Sequence, residues 1–173
     1  MTEPSLIVCL DVDYRLSMAV AAGVWFRGWS AQASEFETTA VSDDVAEYQP
    51  GEFYRRELPC LLGVLRGAPP ADLVIVDGYV SLGERRAGLG MHLYEAMDKN
   101  TPVVGIAKTN FRLATEAIQV FRGVSTSPLF VTAVGIDANE AAQQVVRMHG
   151  PYRIPAMLKR VDQLARGTEA VIP

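Results

Sequence analysis

Histidine and cysteine are scarce, with two of each in 173 residues. Cys9 in LIVCL and Cys60 in LPCLL lie in apolar runs without metal-type spacing, which argues against a disulfide framework or a cysteine metal site and fits buried free thiols. Neither is a candidate nucleophile. Long hydrophobic runs are also missing: none approaches the roughly 20 residues of a membrane span. The opening MTEPS lacks the basic and then hydrophobic pattern of a signal peptide, so a cytoplasmic location is expected. Positive charge is in short supply too. The net charge of −4 and the pI near 5.2 advertise no basic field for nucleic acid. They leave room for a partner gripped through metal ions and a few local arginines.

What is there is apolar and ordered. At 49% hydrophobic, the chain can fill one core and is short for two, so residues 1–173 are expected to form a single domain. LIVCLDVDYR, AVAAGVWFRGW and AQASEFETTAV read as three successive strands. After Pro50-Gly51 the period changes, and Phe53, Leu58, Leu61, Leu62 and Leu65 predict one face of a helix ending near Gly67. LVIVD then predicts a buried strand, LGMHLYEAMDKN a helix and PVVGIAKT a second buried strand, a succession that implies parallel pairing. AIQVFRGVS and LFVTAVGI predict two more strands, and NEAAQQVVRM and PAMLKRVDQLAR two helices. The fold class expected is α/β with a mixed central sheet, a three-strand meander followed by alternating helices and strands. That is the order of the ribonuclease H-like fold.

In such an order the end of the first strand, the first helix and the end of the fourth strand converge on one sheet edge. The acids at those places are Asp11, Glu57 and Asp77. An acid at a strand end can equally serve as a cap or a turn residue. Three carboxylates brought together repel one another, and the natural counterion is a hard divalent cation with oxygen ligands: magnesium, with manganese as the alternative. Such an ion can activate water and stabilise charge on a transferring phosphoryl group.

The order of short motifs resembles the endonuclease V family across nearly the whole chain. DVDYR resembles its first-strand acid and tyrosine, and YQPGEFYRRELP its Tyr-x-Pro-Gly segment leading to Arg-Glu. VDGYV, ERRAGLGMHL, VGIAKT and YRIPAMLKRVDQLAR resemble its Asp-Gly strand end, arginine loop, Gly-x-Ala-Lys strand and closing helix. The resemblance implies a magnesium-dependent nuclease that recognises a deaminated base in DNA or RNA, chiefly hypoxanthine, and nicks the strand on its 3′ side. By the same resemblance Asp11, Glu57 and Asp77 would bind metal, and Lys108 would lie near the scissile phosphate. Tyr48, Gln49, Pro50 and Gly51 match the family's strand-separating wedge. Gly78, Tyr79, Arg85 and Arg86 would contact nucleic acid.

Several positions depart from the family pattern. Tyr79 and Gly83 stand where the family has histidines, and Val80 where it has a glycine, so weaker hypoxanthine selectivity is expected. The later Gly-His-Arg segment is VGIDANEA here, and Asp137 within it is expected to supply a fourth acid to the same metal and catalytic site. His92 and His149 are expected to be structural. The alternative reading is a nucleic-acid-binding or structural homologue of the same fold without productive cleavage.

Overall fold

A computed structural model describes residues 4–43 and 53–167. Ten-residue strands β1 (Leu6–Arg15) and β2 (Met18–Arg27) form an antiparallel hairpin, and β3 (Phe36–Ser42) extends it. The chain then alternates: α1 (Phe53–Leu65), β4 (Leu73–Asp77), α2 (Leu89–Ala96) and β5 (Val103–Ala107). The short β6 (Ile118–Val120) and β7 (Leu129–Val134) pair antiparallel, followed by α3 (Ala138–Arg147) and α4 (Ala156–Arg166). All seven strands make one sheet, ordered β3-β2-β1-β4-β5-β7-β6. β4 runs parallel to both β1 and β5, whereas β7 runs antiparallel to β5.

Alternation along the strands divides the core into two layers. Ile7 and Cys9 of β1, with Leu73 and Ile75 of β4, pack under α3 and α4. Val8, Leu10, Val74 and Val76 face the other way, against α1 and α2. Both cysteines are buried and free.

The apolar face of α1 is turned from the one its leucines suggest. Glu57, Cys60, Leu61 and Val64, at the i, i+3, i+4, i+7 spacing of one helical face, are its buried residues, while Leu58, Leu62 and Leu65 flank them. A glutamate therefore points inward.

No described helix is long and apolar enough to cross a membrane.

Candidate active site

Leu10 is in register with Val76, so the next residue of each strand, Asp11 and Asp77, stands beside the other at one edge of the sheet. Parity sends both side chains to the face covered by α4. Glu57 approaches from α1, on the opposite face, and is only 8% exposed. Lys108 follows β5, and its ammonium lies 3.2 Å from Asp77 Oδ2. The three acids and Lys108 line a cleft of about 370 Å³, together with Asp13, Tyr14, Asp162 and Arg166.

Among the described residues, few donors satisfy these carboxylates. Asp11 Oδ1 accepts one hydrogen bond, from the adjacent Val12 N–H at 2.9 Å. Burial, and next the charge of Asp77, push Asp11 up to about 7. Burial, then the charges of Asp11 and Asp77, push Glu57 up to about 8. Both shifts disfavour the charged form, and the cations at hand, Lys108 for Asp11 and Arg56 for Glu57, do not offset the burial of the cluster. Behind it the Arg56 guanidinium lies 3.9 Å from the centre of the Tyr14 ring, a cation–π contact inside the wall of the cleft.

A hard cation fits this donor chemistry: oxygen donors, mutual repulsion and poor hydrogen bonding. Among the described residues, however, no three His, Cys, Asp or Glu side chains are already closed into a metal-binding group. Asp77 instead holds Lys108.

A second cavity, about 420 Å³ and mainly apolar, shares Asp77 with the cleft and is walled by Tyr54, Tyr79, Leu82, Leu89 and Phe111, with Arg86 at its margin. His92 stacks on Tyr54 with ring centres 3.6 Å apart and so stiffens one wall. The Tyr79 hydroxyl donates to the Thr109 carbonyl at 2.6 Å and accepts from Phe111 N–H at 3.0 Å. Close backbone approach explains two glycines nearby. A Cβ on Gly105 would meet the Gly78 carbonyl oxygen at 2.5 Å, and one on Gly83, whose φ is +84°, would meet the Leu113 carbonyl oxygen at 1.8 Å. Glu84 and Arg85 adopt positive φ at the tip of the arginine loop, where both are exposed.

The sequence profile of the endonuclease V family matches residues 1–133. The chain belongs to the endonuclease V family. Endonuclease V of Streptomyces avermitilis is 32% identical over 152 residues, covering 75% of this chain and 65% of that relative. The match therefore falls just short of two-thirds of the relative's length. A crystal structure of endonuclease V from the same organism superposes with a TM-score of 0.80 at 26% identity, covering 96% of this chain and 82% of that one. Endonuclease V of Ciona intestinalis, solved with a DNA containing an inosine followed by a ribo-adenosine, gives 0.79 at 19% identity, covering 95% and 85%. The last is a likeness of fold. That fold is the ribonuclease H-like one.

Among endonuclease V positions expected from sequence, Asp11, Glu57, Asp77 and Lys108 share the cleft, and Gly78, Tyr79 and Arg86 line the apolar cavity. Tyr48, Gln49, Pro50 and Gly51 lie outside the described residues.

Asp137 is a correction. Because β7 runs antiparallel to β5, its final residue, Val134, pairs with Val103 at the start of β5. The chain thus leaves β7 at the edge opposite the acids. Asp137 there caps α3, accepting from Glu140 N–H at 3.0 Å. Asp162 lines the cleft instead, in addition to Asp13, and its charge also acts on Asp11. Its signal was its place one turn after Leu158, on a helix packed against β1 and β2, on the face toward which Asp11 points.

Proposed function

We propose that this protein is a divalent-metal-dependent endonuclease that cleaves DNA or RNA beside a deaminated base, acting in the cytoplasm with magnesium, or manganese in its place. The observation that carries the reading is the convergence of Asp11, Glu57, Asp77 and Asp162 with Lys108 in a cleft that shares Asp77 with an apolar cavity. Membership of a nuclease family supports it, as does the relative whose solved complex holds inosine-containing DNA.

Asp11, Asp77 and Glu57 would hold the metal, with Asp162 beside Asp11. A divalent ion bound there supplies Lewis-acid stabilisation of the phosphoryl group and lowers the pKa of water. Asp11 and Glu57, pushed up first by burial and then by neighbouring carboxylates, would give up protons when the cation binds. Lys108, a compact ammonium at the same edge, would offset negative charge developing on the phosphate. An extruded base would enter the apolar cavity between aromatic walls, and Tyr48 with Gln49, Pro50 and Gly51 would hold the strands apart. Arg85 and Arg86 would meet backbone phosphates of the substrate.

The Tyr79 hydroxyl is engaged by the 109–111 backbone. The cavity wall therefore offers the base few polar contacts, and discrimination of hypoxanthine should be weaker than a fully hydrogen-bonded pocket would give.

Cleavage of matched oligonucleotides containing inosine, uracil, an abasic site or no lesion, as DNA and as RNA, tests the proposal. Metal-dependent nicking of the inosine substrates above the undamaged ones is expected. Absence of nicking with both magnesium and manganese would remove it.

A further inference from the structure

The backbone that carries Lys108 is gripped from outside the cleft. The Lys108 carbonyl accepts from Arg153 Nη2. The same nitrogen donates to the Pro128 carbonyl at 2.8 Å, and Arg153 Nε donates to that of Ser127 at 3.1 Å. One guanidinium thus ties the end of β5 to the approach to β7.

Arg153 is itself held. It lies in the connection between α3 and α4, whose carbonyls converge on Arg122, only 5% exposed. Arg122 Nη1 donates to the Tyr152 carbonyl at 2.7 Å and to that of Arg153 at 3.2 Å, while Nη2 donates to the Met148 and Gly150 carbonyls. Among the described residues no carboxylate lies within ion-pair distance of either arginine. Burying a guanidinium against carbonyls alone costs solvation, but its rigid fork fixes several backbone groups at once, which a lysine's single ammonium cannot do.

We propose that Arg153, braced by Arg122, is a positioning residue for Lys108. Arg153 does not line the acid cleft, so it acts through the backbone from which the Lys108 ammonium reaches Asp77. From the other side Tyr79 holds the Thr109 carbonyl and the Phe111 N–H, so the segment starting at Lys108 is clamped at both ends. This inference rests on the reading that Lys108 acts at the phosphate.

Steady-state cleavage of inosine-containing DNA by Arg153→Ala, Arg153→Lys, Lys108→Ala and the two double variants tests it. Misplacing a reacting group by about 1 Å can cost about a hundredfold. Arg153→Ala should therefore lower kcat by about ten- to a hundredfold with KM unchanged, and Arg153→Lys by less. In the Lys108→Ala background neither change should lower kcat further, because the group being positioned is gone. Losses that multiply in the double variants, or a change confined to KM, would overturn the proposal. If Arg153→Ala does not fold, as judged by its unfolding midpoint, Arg153→Lys carries the same comparison.

A readout without cleavage separates this inference from the function it rests on. With lysines reductively 13C-methylated, the Lys108 resonance, assigned by its loss in Lys108→Ala, should move in Arg153→Lys. An unmoved resonance overturns the positioning role. Absence of cleavage by the wild type, with the resonance shifting as expected, overturns the nuclease reading and leaves the clamp standing.

Discussion

Aspartates stand at both edges of the sheet, and they live in opposite circumstances. At the edge where β4 begins, Asp72 accepts from the Ser5 hydroxyl at 2.6 Å and from the Leu6 and Ser5 N–H groups at 2.9 and 3.2 Å. The Ser5 hydroxyl bond, then the Leu6 N–H, hold its carboxyl below the ordinary range. Asp137, at the same edge, caps a helix. At the other edge Asp11 receives one local N–H, and burial drives Asp11 and Glu57 upward. Residue type is shared; partners differ. Hydrogen-bonded carboxylates stabilise the fold, whereas clustered ones with few donors store a demand for positive charge that a metal can meet.

The largest test of this contrast is Asp77→Asn. Losing the carboxylate shared by both cavities should remove several kcal/mol of transition-state stabilisation, on the order of a thousandfold in kcat. Binding of substrate in calcium, measured by fluorescence anisotropy, should survive. Undiminished cleavage by the purified variant would sink the metal role.

Next comes metal-linked stability. Manganese at a hundred times its dissociation constant should raise the unfolding free energy of the wild type at pH 8 by about 2.7 kcal/mol. Asp77→Asn should lose most of that gain in a denaturant titration.

The raised carboxyls also fix the sign of a pH effect. A carboxyl whose folded pKa lies above its unfolded value binds more protons when folded, so stability declines as pH rises through that interval. Without metal, the wild type should lose stability from the ordinary carboxylate range up to about 8, the value for Glu57. Glu57→Gln should flatten this decline and stabilise the metal-free protein at pH 8 by about 2 kcal/mol. A steeper decline in the variant would contradict the origin assigned to the shift.

The smallest effects belong to the satisfied edge. Asp137→Ala should cost about 1 kcal/mol, the usual value of a helix cap, and leave cleavage unchanged. Asp72→Ala should cost a similar amount, about 1 kcal/mol for its lost hydrogen bonds. A strong loss of cleavage in Asp137→Ala would return that residue to the site.

The elements themselves were largely legible. LIVCLDVDYR is β1 to the residue, and the helix expected after Pro50-Gly51 is α1. The inward face of α1 could have been read more closely, because Glu57 sits at helical spacing with Cys60, Leu61 and Val64. AIQVFRGVS yields only three strand residues, Ile118–Val120, since β6 is an edge strand paired on one side alone. Arg122 carried no signal of its own, and Arg153 only its place in the closing YRIP motif, which does not say what it holds. Their partners are backbone carbonyls 25 to 45 residues away, which no local pattern encodes.

The sequence by itself determined the strand and helix periods, the family motifs and the acids Asp11, Glu57 and Asp77, because side-chain alternation and motif spacing are properties of short stretches of chain. The tertiary structure decided which of the remaining acids joined them. That choice depends on strand direction and helix placement: β7, pairing antiparallel to β5, carries Asp137 away, and α4, covering the face of β1, brings Asp162 to the cleft. Both are set by burial of apolar faces between residues distant in sequence, a long-range term that short local patterns do not contain.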